Sequence, residues 1–192
     1  MGSVVYRDNA GNQGKQVLLE GSGLVYIELR PDLDFETIRG NAGIPTLVTR
    51  GIFRGFSLPV YAADNEELFA EICVPSRWDG ASDIYIHLYC WLAQAEVTKN
   101  FNLQVSWEHY ASGTDVVPAT SADVEVETPA NAAQFKSYKV EFTLAYGDLA
   151  ADDIIGLRVR RIAAAGDDCV GEIVINHYGV IFRRNKLGVA SP

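Results

Sequence analysis

Cysteine is scarce in this chain of 192 residues. The three present, Cys73, Cys90 and Cys169, are an odd number without a Cys-x-x-Cys pair. That excludes a disulfide framework and predicts folding with reduced thiols, as in a cytoplasm. Basic residues are also few: 16 Lys and Arg stand against 25 Asp and Glu, for a net charge of −9. Neutralising phosphates needs the opposite excess, so a general nucleic-acid partner is excluded, and so is an anionic membrane surface. No apolar run is long enough to cross a bilayer as a helix, so no membrane insertion is expected. The first residues, Met1-Gly2-Ser3-Val4-Val5-Tyr6-Arg7-Asp8, offer neither a basic nor an apolar leader region, and no secretory signal is predicted. No Asn-x-Ser/Thr site, internal repeat or low-complexity tract occurs.

What is present is a composition able to bury a core, 48% hydrophobic and 21% charged, of a size that suits one domain plus an arm. From Ile52 onward hydrophobicity alternates with period two, the mark of half-buried strands. Glu67 to Val74 sets Leu68, Ala70, Ile72 and Val74 on one face. Asp83 to Leu92 sets Ile84, Ile86, Leu88, Cys90 and Leu92 against Tyr85, His87, Tyr89 and Trp91. Asn102 to Tyr110 points Leu103, Val105 and Trp107 inward. Val124 and Val126 alternate with Glu125 and Glu127, and Phe135 to Ala145 aligns Tyr138, Val140, Phe142 and Leu144. Asp153 to Ile162 follows. Gly171 to Arg184 comes last, with Ile173, Ile175 and Ile181 facing away from Val174, Tyr178, Val180 and Phe182.

With Ile52–Val60 these make about eight strands, separated by turns such as Pro75-Ser76-Arg77-Trp78-Asp79-Gly80. The expected fold class is all-β, a jelly-roll-like antiparallel β-sandwich over residues 47–192. Asp83–Leu92 and Gly171–Arg184 carry large residues on both faces. They are therefore expected to be covered twice, by a second sheet and by another subunit or the chain's own arm.

Residues 1–46 read as an extended N-terminal arm. Glycines punctuate short apolar pieces, Val17-Leu18-Leu19 and Leu24-Val25-Tyr26-Ile27, and Phe35 follows. Such pieces need a surface to cover them. Either a capsid or neighbouring subunit supplies it, through Val17, Leu18, Leu19, Leu24, Tyr26, Ile27 and Phe35, or the chain's own sandwich does. A short helix is expected over Pro31–Arg39, with Asp32 as its cap.

No motif for catalysis or for a cofactor is found. In Gly11-Asn12-Gln13-Gly14-Lys15 the next residue is Gln16, where a phosphate-binding loop needs Ser or Thr. Gly21-Ser22-Gly23 lacks the spacing of a nucleophile elbow. His87, His109 and His177 fall on three separate strands without a local ligand pair, so packed histidines are expected rather than zinc ligands. The acidic pairs Asp152-Asp153 and Asp167-Asp168 are the best calcium candidates, but they lack the pattern of a calcium loop, and solvated carboxylates are expected. Glu125 and Glu127 would need a partner across a cleft to act as glycosidase carboxylates. Trp107 reads as core. Tyr85, Tyr89 and Trp91, opposite the aliphatic row, read as a subunit contact rather than a sugar platform.

One resemblance is carried by order rather than by a catalytic motif. Phe69-Ala70-Glu71-Ile72-Cys73-Val74-Pro75 leads to Trp78-Asp79-Gly80 and Asp83-Ile84. Val105-Ser106-Trp107-Glu108, Gly147-Asp148 and Ile155-Gly156-Leu157-Arg158-Val159-Arg160-Arg161 come next. Asp167-Asp168, Gly171-Glu172-Ile173-Val174-Ile175 and Tyr178-Gly179-Val180-Ile181-Phe182 close it. This run resembles a jelly-roll domain of tailed-phage virion proteins, both capsid-decorating and tail-associated. The resemblance covers about two-thirds of the chain. It implies a homotrimer located in the virion, with viral capsid or tail proteins as partners and no enzymatic activity. Capsid decoration is the expected role. Tail receptor binding, or a lectin-like module with a host-surface glycan as ligand, is the alternative.

Overall fold

The computed structural model describes residues 4–6, 15–19, 25–29, 45–59, 66–76, 78–111, 113, 116–118, 121–130, 133–145, 147, 149–166 and 168–184. Every helix or strand among them is a strand. The first five are β1 (Val4–Tyr6), β2 (Lys15–Leu19), β3 (Val25–Leu29), β4 (Thr46–Arg50) and β5 (Phe53–Leu58). Then come β6 (Glu67–Cys73), β7 (Ile84–Leu92), β8 (Asn100–Tyr110) and β9 (Ala122–Pro129). β10 (Ser137–Leu144), β11 (Ile154–Ile162) and β12 (Ile173–Arg184) complete the strands of the described residues. The helix expected over Pro31–Arg39, together with Leu24 and Phe35, lies outside the described residues.

All strand pairings are antiparallel, in two sheets. One contains the order β10-β7-β12-β5, the other β9-β8-β11-β6. From β5 to β12 the chain changes sheet at every connection except β8 to β9. That alternation, with these neighbours, is the jelly-roll arrangement of two interlocked Greek keys. The sequence expectation of an all-β sandwich therefore holds.

The core lies between the sheets. Ile84, Ile86, Leu88, Cys90 and Leu92 of β7 meet Leu103 and Val105 of β8 and Ile155, Leu157 and Val159 of β11, all buried. Period-two alternation puts these residues on one face, and burying each contributes about 1.5–3 kcal/mol. Trp78, in the turn after β6, is buried in the same core. Its indole N–H donates to the Ser82 carbonyl at 2.9 Å. The Asp79 carboxylate accepts from the backbone N–H groups of Ala81 and Ser82 and so fixes the turn that presents the ring.

One expected facing is corrected. Strict alternation put Ile173, Ile175 and Ile181 together, yet a β-bulge between Ile175 and His177 shifts the register of β12 against β7. The extra residue reverses the facing from that point on. Ile173 and Ile175 therefore share the core with Tyr178, Val180 and Phe182, while Ile181 is left on the outer face.

The other edge of β12 is divided between two partners. Its first half pairs with β5, Ile173 to Leu58 through Ile175 to Phe56. Its second half pairs with β3, Val180 to Leu29 through Arg184 to Val25. β2 and β1 continue outward from β3. The backbone of the N-terminal arm thus extends the chain's own sheet at β3, and among the described residues β1 ends that side of it.

Candidate functional site

The outer faces of the two sheets differ in chemistry. On the β6-β11-β8-β9 sheet the outer face is a polar lattice. Gln104 donates to Glu125, Arg158 donates to Ser106, and Glu67 lies 3.6 Å from Arg158. Glu127 accepts from Asn100 at 2.6 Å and from the Ala165 N–H at 2.8 Å. These bonds hold its carboxyl below the usual range, the Ala165 contact most of all. Glu125 and Glu127 are thus side-by-side members of a hydrogen-bonded strand face.

The outer face of the other sheet is aromatic and is partly roofed by the hairpin β4–β5. Arg50 pairs with Phe53 across the two-residue turn Gly51-Ile52. Gly51 has φ +59°, a value that glycine adopts at the first turn position without strain. β5 leaves its pairing with β12 after Phe56, where Gly55 lies against the backbone of Ile175 and Asn176. Val174, beneath Gly55, is buried although it points away from the core. The hairpin tip then reaches toward the start of β10, where the Arg50 guanidinium sits 3.1 Å from the ring centroid of Phe135.

Phe135 has φ +64°, a left-handed backbone that costs a bulky L-residue about 1–2 kcal/mol. Its N–H donates to the Leu92 carbonyl at 2.9 Å, and Arg50 covers its ring. Both contacts hold the phenyl group at the mouth of a cleft of about 1230 Å³.

Tyr89 and Trp91 of β7 line this cleft, with Asn176 at the bulge of β12 and Ser137 and Lys139 on β10. Ile52 and Phe53 of the hairpin, 91% and 62% exposed, form its outer lip. Arg50 and Lys139 are its charged lining residues, and no carboxylate lines it among the described residues. Lys139 lies 3.8 Å from Glu141, whose carboxylate is also 2.7 Å from Nε2 of the buried His87. Tyr138 borders the cleft as well, but its buried hydroxyl has no partner, and burial raises its pKa.

The residues singled out in the sequence separate here. Tyr89 and Trp91 come together in the cleft, while Tyr85 is not part of its lining. Trp91 is only 8% exposed within the single chain, which leaves little of it for a subunit contact. Tyr89 packs between His87 and His177, at ring-centroid distances of 6.3 and 5.5 Å. His109 is on the opposite sheet, stacked on Trp107 and 3.2 Å from Asp153.

The acidic pairs serve loop structure. Asp153 accepts from the Ala150 N–H at 2.8 Å, Asp152 takes φ +69° in the turn, and Asp168 accepts from Arg161 at 2.9 Å. Asp167 lies outside the described residues. Among the described residues no group of three or more His, Cys, Asp or Glu side chains is placed to hold a metal ion. Of the arm residues, Val17, Leu18 and Leu19 fall in β2 and Tyr26 and Ile27 in β3, where Leu18 pairs with Tyr26.

Sequence reasoning found Tyr89 and Trp91 but missed Arg50, Phe53, Phe135 and Asn176. The Gly51-Ile52 turn carries no Asn-Gly signal, and Phe135 sits in a loop far away in sequence. The one available clue was the aromatic row Tyr85, His87, Tyr89 and Trp91 on the face opposite the aliphatic one. No protein-family model matches the chain, and no curated protein matches it either.

Proposed function

We propose that this chain is a phage virion structural protein, a capsid decoration module acting by binding and oligomeric assembly. The observation that carries this reading is the jelly-roll strand order, a topology shared by viral capsid and lectin domains, joined to the sequence resemblance to tailed-phage virion domains. The arm supports it too. β1 ends the sheet on the side where β3 meets β12, and an edge strand can pair with a strand of a shell protein. A trimer on the shell is the expected assembly.

A second reading, a carbohydrate-binding module for receptors on a host surface, is favoured by the aromatic cleft. The cleft and the arm engage opposite halves of β12, so one chain can attach by one end and bind by the other. Sedimentation of the purified chain with shells that lack it tests the first reading, and light scattering measures its mass against three times the 21.0 kDa chain. Saturable binding by a trimer supports decoration. Failure to sediment, together with binding to immobilised glycans, replaces it with the second reading.

A further inference from the structure

We infer that the cleft beneath the β4–β5 hairpin is a binding site for an acidic oligosaccharide, its carboxylates taken by Arg50 and Lys139 and its sugar rings by the aromatic surface. The inference deepens the carbohydrate-binding reading above and rests on it. It begins from charge. The chain carries a net charge of −9, yet the described lining of this cleft has two cations and no carboxylate. The chain as a whole has the reverse balance, 25 Asp and Glu against 16 Lys and Arg. The cleft therefore favours anions where the rest of the molecule repels them.

Shape and polarity choose among anions. Half-buried Tyr89 offers ring surface to the C–H face of a pyranose, with the small exposed part of Trp91 beside it, and Asn176 and Ser137 bring an amide and a hydroxyl. That combination of ring faces with short polar groups suits sugar rings, whereas a small inorganic anion would use none of the aromatics. The volume, about 1230 Å³, exceeds the roughly 300–1,000 Å³ of ordinary small-ligand pockets, so a linked chain fits better than one ring. An extended acidic peptide would be expected along a sheet edge, with its backbone paired, rather than across the outer face of paired strands.

Arg50 is placed to exchange partners. Its guanidinium now rests on the Phe135 ring, and a planar five-donor fork can exchange that contact for a bidentate carboxylate. Lys139 sits on a different element, strand β10, and shares its charge with Glu141 at 3.8 Å. Arg50 is accordingly expected to carry more of the selectivity than Lys139.

The test uses the full-length protein and matched probes: an oligogalacturonate, the same oligomer with its carboxyls methyl-esterified, and a glutamate-rich hexapeptide. Intrinsic fluorescence reads occupancy through Trp91, since Trp78 is in the core and Trp107 belongs to the opposite sheet. The acidic oligomer should bind at least about tenfold more tightly than its ester, the scale of one charge-assisted hydrogen bond. Arg50→Gln should remove that difference, and Lys139→Gln, which leaves the hairpin untouched, should reduce it. Equal binding of acid and ester overturns the inference while leaving a neutral-glycan reading in place. No binding of either oligomer overturns both. Equal binding of the hexapeptide overturns the assignment to sugars, because charge alone would then account for the site.

Discussion

A Cβ atom placed on Gly55 would stand 2.6 Å from the carbonyl oxygen of Ile175 and 2.7 Å from Cγ1 of Val174. This contact lets the hairpin leave β12 and fold back over the outer face, and no larger residue fits without moving backbone. Gly55→Ala should therefore destabilise the protein by about 1–3 kcal/mol, the usual range for overpacking. It should also loosen the tip, so that Trp91 becomes more accessible to acrylamide quenching. Thermal unfolding and quenching measure the two effects. Unchanged values in both would mean that the hairpin does not depend on this approach.

Arg161 anchors the loop that leads into β12. It is 2% exposed in its side chain. It donates to the carbonyls of Pro59, Cys169 and Gly171 and to the Asp168 carboxylate. Arg161→Met keeps much of the volume but strands those acceptors. Losing one partner of such a buried charged network costs about 3–5 kcal/mol, and urea unfolding should show a loss of that order. A loss under 1 kcal/mol, on the scale of an exposed pair, would contradict this account of the loop.

The thiols should differ sharply in reactivity. Burial pushes Cys90 up to about 12, with Cys169 nearby adding to it, and burial also raises Cys169. Cys73 is exposed, and its pKa is raised, first by partial burial and then by Asp152 and Asp153. Since the thiolate is the reactive form, a thiol reagent at pH 8 should modify one cysteine in the native protein and three after unfolding. Rapid modification of Cys90 or Cys169 in the native state would show that the core opens more readily than this packing allows.

Glu127 gives a pH dependence with a defined sign. Its folded pKa is lowered, by the Ala165 N–H first and by Asn100 second, from an ordinary value of 4.5. Its contribution is thus present above the unfolded value and is lost as pH falls through the lower, folded one. A carboxyl titration by NMR should place its midpoint below 4.5, and Glu127→Gln should weaken the acid sensitivity of the 163–166 loop. A midpoint at or above the ordinary value would mean that these two bonds do not persist in solution.

Much of the sandwich was legible in the sequence because half-buried strands must alternate. The expected segments Glu67–Val74, Asp83–Leu92 and Asp153–Ile162 differ from β6, β7 and β11 by a residue at one end. The second half of β12 was misread because one bulge residue at Asn176 reverses every later facing, and bulges leave no period of their own. β4 was not read as a strand, since Thr46-Leu47-Val48-Thr49-Arg50 is largely exposed and lacks a buried face to pattern it. The cleft was legible only at Tyr89 and Trp91. Arg50, Phe135 and Asn176 join them through the path of the hairpin, the left-handed loop and the bulge, which are tertiary facts.

The measurement that bears most directly on the proposed role is shell binding by the chain with and without residues 1–44, checked for folding by circular dichroism. The eight strands β5–β12 complete both Greek keys without the arm, so the shortened chain should keep its β-sheet spectrum. If the chain decorates a capsid through the arm, full-length protein should sediment with shells and saturate, and the shortened protein should remain in solution. A folded, shortened chain that still saturates shells, or a full-length chain that never binds them, would contradict the account.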